Sequence, residues 1–124
     1  PCTPLLKPQY LTDSFERWQS SNSLYCFPVL EFESNVLRSL KLSNSGEVSS
    51  MFSQHELTRT QDLPQAYFDA GQFYWGSREA WLSEDKIHNH ALGYVLPKYS
   101  VVDIDDENDW RFAERLYQAQ LALA

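Results

Sequence analysis

The stretch SVVDIDDENDW, residues 100–110, decides how this sequence is read, because it joins a β-branched run to a dense group of carboxylates. The residues before Asp103 predict a strand. The segment from Asp106 to the end predicts a helix, since its apolar side chains recur at spacings of three and four. These apolar positions are Trp110, Ala113, Leu116, Tyr117 and Leu121. The sequence therefore predicts a passage from strand to helix through an acidic turn.

The acidic turn has three interpretations, of which the first is helix capping. In this interpretation Asp105 or Asp106 accepts hydrogen bonds from the free N–H groups of the first helical turn. Glu107 and Asp109 then favour the positive end of the helix dipole. Helix capping alone would account for the acidic residues and requires no ligand.

The second interpretation is a calcium loop. Counted from Asp103, oxygen ligands fall at positions 1, 3, 5 and 7, and Glu114 falls at position 12, which is the spacing of an EF-hand. Two features oppose it. Asn108 stands where the sharp turn of an EF-hand requires glycine, and the preceding residues predict a strand rather than an entering helix.

The third interpretation is a metal site at the end of a strand. Asp103 and Asp105 are two residues apart, so in an extended segment their side chains point to the same side, while Ile104 points back into the core. Two such carboxylates can hold a Mg²⁺ ion that also takes phosphate oxygens. The C-terminal ends of strands are where open α/β sheets bind ligands.

The composition predicts one folded domain over residues 1–124 and excludes several classes of partner. An apolar share of 43% with 15% aromatic residues is typical of a globular chain. No apolar run reaches the length of about 18 residues that would predict a membrane span. The net charge is −7 and the basic residues are scattered, which disfavours a nucleic-acid partner. With only Cys2 and Cys26, the chain is expected in a reducing, cytoplasmic setting.

Strand and helix signals are mixed along the chain, which predicts an α/β or α+β fold. Thr12 or Asp13 would cap a short helix that ends near Trp18. Residues 24–32 predict a strand, in which Pro28 indicates an edge position or a bulge. Alternating residues on both sides of the SNSG turn, 43–46, predict a hairpin that includes residues 36–51.

The second half of the chain continues the same mixture. Residues 66–77 are strand-like, with Gly71 as a point of close approach. Ser77 would cap a short helix, and residues 90–104 predict one or two strands interrupted by Pro97. The HNH triplet, residues 88–90, is interpreted as a surface loop rather than a nuclease motif.

Four stretches together resemble one family, in one order. The stretches are PCTPLLKP (1–8), RTQDLPQAY (59–67), DAGQFYWGSREAWL (69–82) and LPKYSVVDIDDENDWRFAERLY (96–117). They resemble the C-terminal half of acylneuraminate cytidylyltransferases, the CMP-sialic acid synthetases. The DAGQFYWG segment is most similar to the branch that activates pseudaminic acid.

The resemblance implies a fold and a reaction. The fold is the C-terminal part of a nucleotide-diphospho-sugar-transferase-like, Rossmann-like mixed sheet, with an inserted β-hairpin dimerisation arm within about 31–72. The reaction joins CTP to an acidic nine-carbon sugar, giving a CMP-nonulosonic acid and pyrophosphate with Mg²⁺. The metal-binding aspartates of the family correspond to Asp103 and Asp105.

The resemblance also implies residues of the sugar site and an oligomeric state. Arg59 would face the acidic sugar from the partner subunit of a homodimer, and Gln61 belongs to the same segment. Tyr74 corresponds to a tyrosine of the sugar site, and Thr3 lies in the loop that contacts the sugar. A homodimer or a higher oligomer is therefore expected.

One departure from the family pattern is large. The basic loop that binds the CTP phosphates lies in the family's N-terminal half, and these 124 residues, which start at Pro1, contain no such loop. The chain is therefore expected to be a fragment and to be inactive alone. The alternative function is a non-enzymatic interaction module with a calcium-binding acidic loop.

Overall fold

The structure is a computed structural model that describes residues 2–122. Pro1, where the PCTP segment starts, and the last two residues of the predicted C-terminal helix lie outside the described residues. The chain divides into two compact units. The larger comprises Pro1–Leu30 and Asp69–Ala124, and the smaller comprises Glu31–Phe68. The single domain predicted over residues 1–124 stays a prediction.

The elements confirm the α/β class. The helices are α1 (Pro8–Gln19), α2 (Arg78–Leu82) and α3 (Glu107–Ala122). The strands are β1 (Tyr25–Glu31), β2 (Leu40–Leu42), β3 (Val48–Ser50), β4 (Tyr67–Asp69), β5 (Trp75–Gly76) and β6 (Ala91–Val95). Three 3₁₀ turns lie at Val36–Arg38, Ser53–His55 and Thr60–Asp62. Among the described residues, no helix is both long and apolar enough to cross a membrane.

Strand β1 is the centre of a four-stranded sheet. Its neighbours are ordered β4-β1-β5, and β6 pairs with β1 as well. The pairing with β5 is antiparallel and the pairing with β6 is parallel, with Tyr25 opposite both Gly76 and Ala91. The first half of β1 is buried without interruption, as expected for a strand covered on both faces.

Pro28 lies in this central strand and is fully buried, so the edge position predicted for it is wrong. Its ring removes a backbone donor, which a continuous ladder would leave unmatched. The pairing of β1 with β5 stops at Cys26, two residues before the proline. The Pro28 carbonyl is then satisfied by the Ala70 N–H at 3.0 Å. The interruption between β4 and β5 is thus where the proline is accommodated.

Helix α1 packs on this sheet through a buried serine. The helix begins at Pro8 rather than near Thr12 as predicted, because proline is well suited to the first helical position. The Ser14 hydroxyl donates to the Leu11 carbonyl at 3.0 Å and accepts from Trp75 Nε1 at 2.9 Å. The Phe15 and Trp75 rings contact each other at a tilt, with their centroids 4.9 Å apart, which places the predicted apolar side of α1 against the sheet.

Residues 66–77 form two strands rather than one. Gly71 has φ +65°, and a Cβ there would meet nothing within 4 Å, so its role is a turn and not the predicted close approach. The close approach occurs at Gly76, where a Cβ would lie 2.7 Å from the Trp81 ring and 2.9 Å from Tyr25. The predicted cap of α2 is confirmed, because the Ser77 hydroxyl accepts from the Ala80 N–H at 3.1 Å.

In the smaller unit, the predicted hairpin is confirmed in its central part. Strands β2 and β3 pair antiparallel with Leu42 opposite Val48, and Gly46 turns the chain with φ +86°. The predicted extended residues at its start are not strand, since Val36–Arg38 form a 3₁₀ turn. The Asn35 side chain causes this by accepting a hydrogen bond from the Leu37 N–H at 3.0 Å.

The segment before α3 is irregular, so the strand predicted over residues 100–104 is wrong. Strand β6 ends at Val95, directly before Leu96 and Pro97. Tyr99 has φ +62°, a left-handed conformation that breaks an extended run. The buried Ser100 then donates its hydroxyl hydrogen bond to the Pro97 carbonyl at 2.6 Å. Pairing after Pro97 is prevented by this local turn.

Helix α3 begins at an acidic cap, which confirms the capping interpretation. Asp106 Oδ1 accepts from the N–H groups of Asn108 and Asp109, at 2.7 and 3.0 Å. Asp109 Oδ2 reaches back to the N–H groups of Asp105 and Asp106, at 3.0 and 3.1 Å. This reciprocal arrangement is that of a capping box, with aspartate in both roles.

The capping geometry predicts that Asp106→Ala lowers the free energy of unfolding by about 1 kcal/mol, since the first-turn N–H groups lose their acceptor. Urea unfolding without divalent ions measures this loss. Asp103→Ala is the matched control and should leave the midpoint unchanged, because the Asp103 carboxylate caps nothing. Equal effects of the two substitutions would contradict this assignment.

The α1 contact predicts that Ser14→Ala lowers stability by about 1–3 kcal/mol, because it leaves the Trp75 N–H without an acceptor. Thermal or urea unfolding measures the change. Ser20→Ala is a suitable control, since Ser20 is exposed at the end of the same helix. A loss no larger than that of the control would show that the Trp75 hydrogen bond contributes little.

Candidate functional site

The acidic turn leaves two of its carboxylates uncommitted. Among the described residues, the side chains of Asp103 and Asp105 accept no hydrogen bond and form no ion pair, and both residues are exposed. Ile104 between them packs on the core cluster of Leu5, Val102 and Ala113. The apolar anchor therefore holds the short segment that carries both carboxylates.

These two carboxylates fit Mg²⁺ in chemistry. Oxygen ligands are what Mg²⁺ takes, and it is usually bound by one or two carboxylates with water and phosphate oxygens in the remaining positions. Within residues 2–122, no group of three or more acidic, histidine or cysteine side chains could hold a metal ion. Asp103 and Asp105 could thus supply only part of the oxygen ligands of a magnesium ion.

The calcium loop is not favoured by this geometry. An EF-hand wraps twelve residues around the ion, but α3 already begins at Glu107. Glu107 lies 3.3 Å from Arg111 Nε, one helical turn away. The Asp109 carboxylate is occupied by two backbone N–H groups. Most of the proposed ligands are therefore helical or engaged.

Thr3 lies in a loop that is anchored in the core beside the acidic turn. Its carbonyl accepts from the Leu6 N–H at 3.1 Å, which forms a tight turn. Leu5, inside that turn, is buried in the cluster with Val102 and Ala113. A groove of about 370 Å³ adjoins the cluster and is lined by Pro4, Leu5, Ile104, Trp110, Ala113, Glu114 and Tyr117. The structure thus places Pro4 and Leu5, which follow Thr3, along the same groove as Ile104.

Tyr74 belongs to a second cluster in the larger unit. Its hydroxyl donates to the Asp69 carboxylate, with both oxygens within reach at 3.0 and 3.1 Å. Its ring packs 5.7 Å from Phe27 on β1. Burial raises the pKa of the Tyr74 hydroxyl, and the hydrogen bond to Asp69 and that residue's negative charge raise it further. The hydroxyl therefore keeps its proton at neutral pH.

Asp69 and His88 are cluster members that the sequence analysis did not select. His88 Nε2 lies 3.4 Å from Asp69 Oδ2, and its ring meets Phe27 edge-on at 5.4 Å. His88 is mostly exposed, as its interpretation as a loop residue implies, but it also packs on the sheet. No local spacing signals this pair, since 19 residues separate its members.

Gln72 is the one side chain among the described residues that has buried polar atoms without a hydrogen-bond partner. Its Nε2 and Oε1 are both buried and unpaired. Such groups are rare in folded proteins, because an unsatisfied buried amide costs free energy. Gln72 lies between Gly71 and Tyr74 in the chain, in the turn that follows Asp69.

Arg59 and Gln61 lie in the smaller unit. Arg59 Nε pairs with Asp62 Oδ2 at 3.0 Å, and most of the arginine side chain is exposed. Gln61 lines a groove of about 310 Å³ together with Glu31, Phe32, Glu33, Asn35, Thr60, Leu63, Gln65 and Ala66. Because two glutamates line this groove, its own surface does not favour an anion.

The comparisons with known proteins agree on one family. No protein-family profile matches the chain. Pseudaminic acid cytidylyltransferases from two strains of Campylobacter jejuni are 39% identical over 116 residues, which is 93% of this chain and 50% of each relative. The chain thus spans about half the length of these curated relatives.

More distant relatives match the same part of the chain. A Helicobacter pylori protein named pseudaminic acid cytidylyltransferase and UDP-2,4-diacetamido-2,4,6-trideoxy-beta-L-altropyranose hydrolase is 31% identical over 92% of the chain and 22% of its own length. N-acylneuraminate cytidylyltransferase B of Danio rerio is 26% identical over 91% of the chain and 27% of its own length. The resemblance found in the sequence is therefore confirmed, and the chain is a homologue of the acylneuraminate cytidylyltransferases, in particular of their pseudaminic acid members, over about half of their length.

Proposed function

We propose that this chain is the part of a CMP-nonulosonic acid cytidylyltransferase that supplies the metal ligands, part of the sugar site and the dimer contacts. The reaction joins CTP and a sugar acid of the pseudaminic or neuraminic class, with pyrophosphate as the second product. The identity of 39% over 93% of the chain carries this proposal. The free carboxylates of Asp103 and Asp105 support it.

In the proposed site, Asp103 and Asp105 would hold Mg²⁺. The ion would supply charge neutralisation at the phosphates of CTP. The Ile104 anchor keeps the two carboxylates beside the core, and the cap formed by Asp106 and Asp109 withdraws those two side chains from competition for the metal.

On the sugar side, Arg59 is proposed to bind the sugar carboxylate from the partner subunit of a homodimer. Its planar guanidinium matches a carboxylate in a bidentate geometry. The exposed pair with Asp62 is a weak competitor, because surface ion pairs contribute about 0–1 kcal/mol. Gln61 and Thr3 are proposed to donate or accept further hydrogen bonds, and Tyr74 to contact the sugar ring.

We propose that the CTP phosphates are bound mainly by residues other than these 124. A net charge of −7 repels a polyphosphate, and the ten Lys and Arg residues are scattered rather than clustered. The chain alone is therefore proposed to lack turnover.

The hairpin of the smaller unit is proposed as the contact of a homodimer. Leu40, Leu42 and Val48 are 63%, 73% and 61% exposed. The strand period places these three side chains on one face, since Leu42 and Val48 are opposite each other and Leu40 is two residues away. A second copy of the chain would cover this apolar face.

The metal proposal predicts that Mn²⁺, used as a paramagnetic substitute for Mg²⁺, broadens the amide signals of Asp103–Asp106 in an NMR titration. Asp103→Asn with Asp105→Asn should abolish the broadening, because both carboxylate charges are lost. Asp85→Asn is the control, as Asp85 is exposed elsewhere in the same unit. Broadening that persists in the double variant would refute the assignment.

The charge argument predicts no pyrophosphate release by the purified chain from CTP, Mg²⁺ and pseudaminic acid. A coupled pyrophosphate assay measures this, with a complete Campylobacter jejuni relative as the positive control. Turnover by this chain above the background without enzyme would overturn the proposal that it is inactive alone.

The dimer proposal predicts that Leu42→Asp shifts the chain toward monomer, since a charge would be buried in the contact. Light scattering at micromolar concentration measures the mass. Lys41→Asp is the matched control, because Lys41 points to the opposite face of the same strand. A monomeric wild-type chain, or equal masses of the two variants, would count against the hairpin as a dimer contact.

A further inference from the structure

We infer that Asp69 is a positioning residue that fixes Tyr74 as a hydrogen-bond acceptor, so that Tyr74 recognises an N–H or O–H donor of the sugar and not its carboxylate. This inference rests on the proposed function and deepens it. It is based on the contact between the Tyr74 hydroxyl and both oxygens of the Asp69 carboxylate.

The Tyr74 hydroxyl has a single proton to donate. An ionised carboxylate only accepts hydrogen bonds, so the proton between Tyr74 and Asp69 must come from the tyrosine. That proton is then unavailable to a ligand, and the phenolic oxygen offers lone pairs only. A ligand carboxylate, which also only accepts, would meet repulsion there. A hydroxyl or an acylamino N–H would find an acceptor.

The Asp69 side chain is held in position by its neighbours. Its side chain is 27% exposed and is held from three directions. Oδ1 accepts from the Gly71 N–H at 2.8 Å, and His88 Nε2 lies 3.4 Å from Oδ2. The left-handed φ of Gly71 turns the chain back, which brings the Gly71 N–H to the Asp69 carboxylate. Asp69 thus has a defined position before any ligand binds.

Tyr74 is accessible to a ligand. Tyr74 is 40% exposed, although its ring rests on Phe27 and its hydroxyl on Asp69. A ligand can therefore reach the tyrosine without displacing the carboxylate. Burial and Asp69 both raise the pKa of Tyr74, which agrees with a hydroxyl that keeps its proton. Tyr74 therefore recognises a donor group of the sugar rather than its negative charge.

The experiment labels the tyrosine ζ carbons with ¹³C and titrates the chain with pseudaminic acid. In the wild type we expect the Tyr74 signal to shift with the sugar. Tyr74→Phe and Asp69→Asn should each weaken sugar binding about three- to tenfold, as expected for one lost or misdirected hydrogen bond. Asp69→Glu should restore part of the affinity, because it restores the carboxylate acceptor.

Two readouts separate positioning from a structural role. Asp69→Asn should lower the pKa of Tyr74 in the free chain, as the hydrogen bond to a carboxylate and its charge are lost. Asp13→Asn is the matched control, since Asp13 lies 3.4 Å from the Tyr94 hydroxyl in another tyrosine–aspartate contact. It should change neither the pKa of Tyr74 nor sugar binding.

The outcomes distinguish this inference from the proposed function. Sugar binding that is weakened by Arg59→Ala but unaffected by Tyr74→Phe or Asp69→Asn overturns the inference and leaves the proposed function in place. Absence of any sugar-induced shift in the chain contradicts the proposed function, and the inference falls with it.

Discussion

The reciprocal cap at the start of α3 is the interaction on which the candidate metal site depends. Asp106 and Asp109 satisfy four backbone N–H groups between them and so fix where the helix begins. The same contacts divide a crowded acidic turn into two kinds of carboxylate. Two are engaged with the backbone, whereas the Asp103 and Asp105 side chains have no hydrogen-bond or ion-pair partner in the described part of the chain and flank the half-buried Ile104. Stability and ligand chemistry are thereby assigned to different members of one short segment.

Charge sets the second constraint on function. A chain of net charge −7 is a poor host for a polyphosphate or a sugar acid unless cations are supplied locally. Within the described residues, Arg59 is paired only with an exposed neighbour, and Mg²⁺ would offset the negative charge at the other end of the reaction. The proposed reaction would therefore require local cationic contacts, for which Arg59 and a bound metal ion are the candidates. Tyr74, with its proton committed to Asp69, adds selectivity rather than charge.

Local patterns were enough to predict much of the fold. The hairpin turn at Gly46, the cap at Ser77 and the helical cap at Asp106 each depend on residues within four positions of one another. The strand predicted before Asp103 failed because a left-handed Tyr99 and Pro97 break it, which apolar alternation does not report. Asp69 and His88 were missed for a different reason. They are 19 residues apart in the chain, and sequence spacing carries no information on such a contact.

The central claim is that this chain carries the metal and sugar contacts of a cytidylyltransferase without a complete CTP site. Isothermal titration calorimetry of pseudaminic acid and of CTP, each with Mg²⁺, tests it most directly. We expect measurable heat of binding for the sugar acid and none for CTP. Tight, Mg²⁺-dependent CTP binding without binding of the sugar acid would contradict it.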